Sequence, residues 1–162
     1  MHSHELVAFV LGVLPISEIR GSAVYVFATS SNIFTVILGL LAGLAGNLIV
    51  PFIAYKILDL LDYAFRSKYT PRVVKRAYLI ILEHGRRRSR SVQGKGYIAL
   101  SLFVGIPLPV TGAWTGTLVA YVLGLDRRKS ILAIETGVLL ATIIVTATIS
   151  LGIQVLKQLF LL

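Results

Sequence analysis

Two long apolar segments of this chain are each broken at the centre by proline, glycine and polar residues, and this constrains the fold more than any other feature. The first segment runs Leu6–Thr29 and is interrupted by Pro15-Ile16-Ser17-Glu18-Ile19-Arg20-Gly21. The second runs Tyr97–Leu125 and is interrupted by Gly105-Ile106-Pro107-Leu108-Pro109-Val110-Thr111-Gly112. Each is followed by an unbroken apolar stretch, Ile33–Leu61 and Ile131–Leu162. The chain therefore reads as two copies of one unit, a broken segment and then a continuous one. Broken segments at matching positions in two halves point to a transporter's substrate site.

Composition says what surrounds these segments. Hydrophobic residues make up 56% of the 162 and charged residues only 14%, whereas a soluble domain carries about 25% charge. With a mean hydropathy of +0.85, the expectation is a single integral membrane domain over residues 1–162, multi-pass, in the cell membrane. There is no cysteine, which excludes disulfides and thiolate metal sites. His2, His4 and His84 form no helical pair within apolar sequence, and His2 and His4 read as a solvated tail. No cofactor motif, nucleophile–base pair or phosphate-binding loop is present, so neither a cofactor nor an enzyme is expected. The N-terminus lacks the basic region of a secretory signal and Glu5 precedes the apolar run, so Leu6 onward is expected in the mature fold.

The formal charge of +9 sets the topology. Ten of the sixteen basic residues lie between Arg66 and Lys95, and Arg127, Arg128 and Lys129 form a second cluster. Lys and Arg accumulate in cytoplasmic loops, a simpler source of the arginine run than nucleic-acid binding. Four full crossings would put the two clusters on opposite faces. If Tyr97–Leu125 instead enters and leaves from one face, both become cytoplasmic. Arm lengths agree: Leu6–Leu14 and Tyr97–Gly105 extend about 13–14 Å as helices, half of a hydrocarbon core about 30 Å thick.

The expected architecture is an all-α integral membrane protein, an inverted repeat of two opposed re-entrant hairpins each followed by a transmembrane helix. Hairpin one occupies 5–31, a transmembrane helix 33–61, a basic cytoplasmic loop 66–95, hairpin two 97–125 and a second transmembrane helix 130–156. Both termini are external. Within the loop, Thr70-Pro71 reads as an N-cap followed by proline at the first helical position. Val73, Val74, Ala77, Tyr78 and Ile81 recur at helical spacing opposite Arg72, Lys75 and Arg76, and Gly85 ends the pattern. That is an amphipathic helix suited to anionic lipid headgroups. Gly39, Gly43 and Gly46 offer a small-residue face for close helix approach, as do Gly112 and Gly116.

Glu18 and Arg20 stand out because a charge at bilayer depth costs about 2.5–3.5 kcal/mol on the insertion scale. Arg20 can fork onto an anionic group and Glu18 can carry a proton; the alternative is an internal pair holding the tip, flanked by Ser17 and Gly21. The second tip is uncharged, and Pro107, Pro109, Thr111, Gly112, Trp114 and Thr115 offer hydroxyls and backbone groups. Asn47, one turn before Pro51, is expected to hydrogen-bond a tip. Glu135 is expected to form an interfacial ion pair with Arg127–Lys129, with a proton-relay role as the alternative.

The stretches Leu14-Pro15-Ile16-Ser17-Glu18-Ile19-Arg20-Gly21 and Gly105-Ile106-Pro107-Leu108-Pro109-Val110-Thr111-Gly112-Ala113-Trp114-Thr115-Gly116 resemble the two signature motifs of the small multidrug export protein family. That family looks like a compact branch of the DedA superfamily of membrane transporters. The resemblance covers nearly the whole chain and implies two opposed re-entrant hairpins. By similarity to DedA relatives it implies translocation of polyprenyl-phosphate carriers or phospholipids, dependent on the proton-motive force, with Glu18 matching the acidic residue of the first hairpin. DedA proteins carry arginines in the second hairpin region, and Gly105–Gly116 has none; Arg20 is the candidate replacement.

The leading expectation is accordingly a translocase for an amphipathic anion, a lipid-linked phosphate, with proton binding at Glu18. The alternatives are proton-coupled export of small hydrophobic cations and a non-transporting membrane scaffold. The bilayer itself is the other partner, and a homodimer is the expected way for so small a chain to enclose a cavity.

Overall fold

A computed structural model of the chain describes residues 2–67, 70–89, 95–108 and 111–160. Among them are seven helices and no strand: α1 His2–Val13, α2 Glu18–Thr29, α3 Ile33–Arg66, α4 Arg72–Ser89, α5 Lys95–Gly105, α6 Ala113–Leu123 and α7 Arg127–Phe160.

Helix α1 stops at Val13 because Pro15 disfavours helical backbone at the residue before it. The chain turns over Leu14–Ser17, with the Glu18 N–H donating to the Leu14 carbonyl at 3.0 Å and Gly21 N–H to Ser17 at 2.9 Å. The break is therefore shorter than the sequence pattern suggests, since Ile19, Arg20 and Gly21 already belong to the first turn of α2. At the far end, His4 Nδ1 lies 3.3 Å from the Tyr25 hydroxyl and 3.4 Å from that of Thr29. So α1 and α2 form an antiparallel hairpin closed at its open end. His4, expected in a loose tail, is instead in the first turn of α1.

Asn32 caps α3, its Oδ1 accepting from the Thr35 N–H at 2.9 Å, which satisfies one orphan donor of the first turn. The 34 residues of α3 extend about 51 Å. Its glycine face receives the hairpin: a Cβ at Gly39 would strike Val26, one at Gly43 the Ser22 hydroxyl, and one at Gly46 the Phe9 carbonyl. Only small residues let the helices approach this closely. Ser22 Oγ donates to the Ala8 carbonyl at 2.9 Å, tying α2 to α1.

The second half repeats these relations. Helices α5 and α6 run out to Gly105 and back from Ala113, and Tyr97 Oη accepts from the Asp126 N–H at 3.1 Å, bringing the open ends together. Gly124, in the left-handed conformation at φ 65°, ends α6, and the Leu125 N–H closes onto the Ala120 carbonyl, a helix-ending geometry that favours glycine. Asp126 Oδ1 accepts from the Lys129 N–H at 3.0 Å and starts α7. A Cβ at Gly137 of α7 would strike the Ser101 carbonyl and Val104 of α5. In each half the outgoing arm lies along the long helix that follows it.

Arg127 donates to Asp59 Oδ2 at 3.0 Å, so the end of α3 and the start of α7 lie at one end of the bundle. Helix α4 docks there. Tyr78 donates to Asp62 Oδ1 at 2.7 Å and its ring stacks on Phe65 at 4.9 Å. Burial and the Asp62 carboxylate raise the Tyr78 phenol above its ordinary range. The helix begins at Arg72, one residue after Pro71, and continues through Gly85 to Ser89; an internal glycine costs about 1 kcal/mol, too little to end it.

The interior is built from small and β-branched residues, Val50, Val104, Ala113, Ala120, Ile134 and Val138 among them. Large apolar side chains such as Ile37, Leu41, Leu132, Ile143 and Leu151 face outward. Helix α3 and residues Arg127–Val155 of α7 are long and apolar enough to cross a bilayer. An apolar exterior around a small-residue interior is what lipid as solvent demands, and the chain is a membrane protein.

Candidate functional site

The two hairpin tips touch, and Glu18 lies where they do. Its side chain comes from the first residue of α2, is 3% exposed, and accepts from the Trp114 N–H at 3.3 Å through Oε1. It thus occupies the N-terminus of α6, where unpaired N–H groups and the helix dipole favour an anion. Gly112 makes room: its backbone, at φ 165°, suits any residue, but a Cβ there would overlap the Glu18 carboxylate. Glu18 itself has φ 47°, a left-handed conformation that costs a non-glycine residue about 1–3 kcal/mol. Strained positions of this kind cluster at functional sites.

Arg20, one residue beyond, spans the same junction. Its guanidinium donates through Nη1 to the Leu108 carbonyl and through Nη2 to that of Thr111 at 2.8 Å. Nη2 is also 3.8 Å from Glu18 Oε2. The uncharged second tip therefore receives its cation from the first. A third link is the Trp114 indole, whose Nε1–H donates to the Val13 carbonyl at 2.8 Å, satisfying an orphan acceptor at the end of α1.

The remaining tip residues shape the loops. Ser17 Oγ donates back to the Leu11 carbonyl, and a Cβ at Gly21 would strike Ser17. The Thr111 hydroxyl lies 2.7 Å from the Ile106 carbonyl and 2.9 Å from that of Leu108, and accepts from the Leu108 N–H at 3.2 Å. Thr115 Oγ1 donates to Gly112 at 3.2 Å. Pro109 lies outside the described residues.

Two cavities flank Glu18. The open one, about 570 Å³, is lined by residues 15–18, Arg20, Gly21, Thr111 and Thr115. It has the size of a small-molecule pocket, mainly apolar with a few convergent polar groups. Behind it a closed space of about 10 Å³ reaches Asn47, Pro107, Val138 and Ala141, room for at most one water.

Asn47 is 1% exposed, and its Oδ1 accepts no hydrogen bond within the described residues. The side-chain oxygen thus makes none of the bonds expected from it to a tip. Pro51, with no N–H, also leaves the Asn47 backbone carbonyl without its helical donor. Glu135 is a second departure. It is half-buried, forms no ion pair among the described residues and does not line the tip cavities. Eight residues from Arg127, it lies about 12 Å up the helix, and Arg127 turns instead to Asp59 on α3.

Sequence reasoning singled out Glu18, Arg20, Ser17, Gly21, Thr111, Gly112, Trp114 and Thr115, which the structure places around one junction. It missed the carbonyls of Val13, Leu108 and Thr111, which are backbone acceptors without a side-chain signature. It also missed the Tyr55, Asp59 and Tyr121 cluster around Arg127. Among the described residues no group of His, Asp and Glu is placed to hold a metal.

Residues 18–144 match the model of the family described as "Putative small multi-drug export protein". No curated protein and no solved structure matches the chain.

Proposed function

The chain belongs to the small multi-drug export protein family, and we propose that it exports small hydrophobic cations in exchange for protons at the junction of the two hairpin tips. The observation that carries this reading is the commitment of Arg20. Its Nη1 and Nη2 donate to the Leu108 and Thr111 carbonyls and Nη2 lies beside Glu18, so the guanidinium is held within the tips, and Glu18 is the one carboxylate among the residues lining the open cavity. A translocase for lipid-linked phosphate needs a free cation there, and the family's description speaks for drug export.

In this reading the hairpins are re-entrant, enter from opposite faces and make the two halves an inverted repeat; the matched packing of α1 on α3 and α5 on α7 supports it. The basic residues of 66–95 and 127–129 face the cytoplasm against anionic headgroups, and both termini are external. A hydrophobic cation enters the cavity, exchanges for the proton on Glu18 and leaves to the other side when the proton returns. The chain performs no covalent chemistry, and a second copy closes the cavity toward lipid.

The test is uptake of tetraphenylphosphonium by proteoliposomes under an imposed pH gradient. The wild-type protein is expected to accumulate the cation above empty liposomes and Glu18→Gln to fall to that background. Accumulation undiminished in folded Glu18→Gln would refute the reading.

A further inference from the structure

The three aspartates of the chain, Asp59, Asp62 and Asp126, lie at the end of the bundle that also carries the basic clusters. Two have structural work. Asp62 holds Arg66 and Tyr78, and Asp126 starts α7. Asp59 faces a cavity of about 440 Å³ lined by Tyr55, Tyr121, Gly124, Leu125 and Arg127.

The local sequence explains the arrangement. Tyr55 and Asp59 are one turn apart on α3 and so share a face. Tyr121 comes from the last turn of α6, its ring centroid 6.3 Å from that of Tyr55 and inclined at 51°, so the two rings form adjoining walls. Gly124 then reverses the chain, and Arg127, the first residue of α7, extends into the space between. Its guanidinium lies 4.7 Å over the Tyr55 ring and donates to Asp59 at 3.0 Å.

A flat cation over an aromatic face with a carboxylate beside it is how proteins recognise soft organic cations. The magnitudes say how firmly Arg127 holds the place. Both members of its ion pair are about half exposed, at 46% and 52%, where such a pair contributes about 0–1 kcal/mol. An exposed cation–π contact adds about 0.5–1 kcal/mol. Opposing them is the N-terminus of α7, whose dipole disfavours a cation, and the adjacent Arg128 and Lys129. A ligand with the same charge and more apolar surface keeps both attractions and buries additional area. The exchange leaves the charge of the cavity unchanged.

We propose that this cavity is a binding site for a small organic cation, a quaternary ammonium or phosphonium ion or a protonated aromatic amine, and that Arg127 is its resident stand-in, displaced when the ligand enters. The site stands on the tyrosine walls and Asp59, whichever substrate the hairpin tips carry. A lipid choline headgroup and a soluble cation share the required chemistry.

The experiment is equilibrium dialysis of tetraphenylphosphonium against the full chain in phosphatidylglycerol nanodiscs, with empty discs subtracted. A Glu18→Gln background removes the tip site, so failure here is separate from failure of the transport reading. Arg127→Ala is expected to tighten binding about tenfold, the equivalent of the contacts it relinquishes. Asp59→Asn is expected to weaken it by a similar factor. Tyr55→Phe, which keeps the ring, binds as the parent does, whereas Tyr55→Leu loses the ligand; the phenylalanine variant separates recognition from folding. Discs containing phosphatidylcholine compete if a headgroup is the natural occupant and do not if it is a soluble cation. Unchanged or weaker binding in Arg127→Ala, or no effect of Asp59→Asn, overturns the proposal. So does binding of tetraphenylborate that disappears in Arg127→Ala, which makes the cavity an anion site.

Discussion

The Arg20 guanidinium donates to the Thr111 carbonyl at 2.8 Å, although the two residues are 91 positions apart in the sequence. Through this bond and its neighbour to Leu108, the first hairpin supplies the positive charge that organises the second tip. Arg20→Lys keeps the charge but cannot bridge both carbonyls, since an ammonium is a point donor and a guanidinium a planar fork. The expected loss is about 1.5–3 kcal/mol of stability, the value of a hydrogen bond involving a charged group. Thermal melting of the purified protein in detergent reads it, and an unchanged midpoint would show that the fork does not hold the tips together.

Gly112 is required for a contact, not for a conformation. Its extended backbone would accept alanine, but a Cβ would overlap the Glu18 carboxylate. Gly112→Ala is expected to cost about 1–3 kcal/mol, the scale of overpacking in a tight interior. In a Glu18→Ala background the cost should largely vanish, and this coupling is the readout of a double-mutant cycle. Equal costs in both backgrounds would mean that the carboxylate does not occupy the space beside Gly112.

Trp114 links the tips from the other direction, through its indole N–H to Val13. Trp114→Phe preserves most of the aromatic surface and leaves that carbonyl unpaired. A loss of about 1–3 kcal/mol is expected, measured as the shift in denaturation midpoint, with no change in helix content by circular dichroism.

The glycines of α3 and α7 separate packing from helix propensity. A side chain at Gly46 would run into the Phe9 carbonyl, which is backbone and cannot move aside, whereas Gly152 has open space around it. Gly46→Leu is expected to abolish accumulation of folded protein, the overpacking exceeding the few kcal/mol available. Gly152→Ala should be neutral or stabilise by about 0.5–1 kcal/mol through helix propensity. Size-exclusion profiles of the two variants provide the comparison.

Much of this was legible in the sequence because lipid as solvent leaves few options. Prolines 15 and 107 marked where the apolar segments break, and the glycines at 39, 43 and 46 marked the packing face of α3. Glu18 and Arg20 were conspicuous as charges in apolar sequence. Their partners were not, because Leu108, Thr111 and Val13 act through carbonyls that every residue carries. Gly112 read as a helix-packing residue, since nothing in a linear chain says that a carboxylate 94 positions away lies against it. The Asn47–Pro51 spacing was visible, but the missing donor it implies was not drawn from it. Glu135 illustrates the reverse error: basic neighbours in sequence suggested a pair, and a nearer aspartate on another helix took the arginine.

The central claim is that each hairpin enters and leaves the membrane on one face, the two faces being opposite. The chain has no cysteine, so single-cysteine variants report sidedness without background. Ser31→Cys, Arg72→Cys and Arg128→Cys sit in exposed positions after hairpin one, at the start of α4 and at the start of α7. The measurement is labelling by a membrane-impermeant maleimide in intact cells and in inverted vesicles. The account predicts that Ser31→Cys reacts from outside, while Arg72→Cys and Arg128→Cys both react only from the cytoplasmic face. Labelling of Arg72→Cys and Arg128→Cys from opposite faces would contradict it, because residues 97–125 would then cross the bilayer.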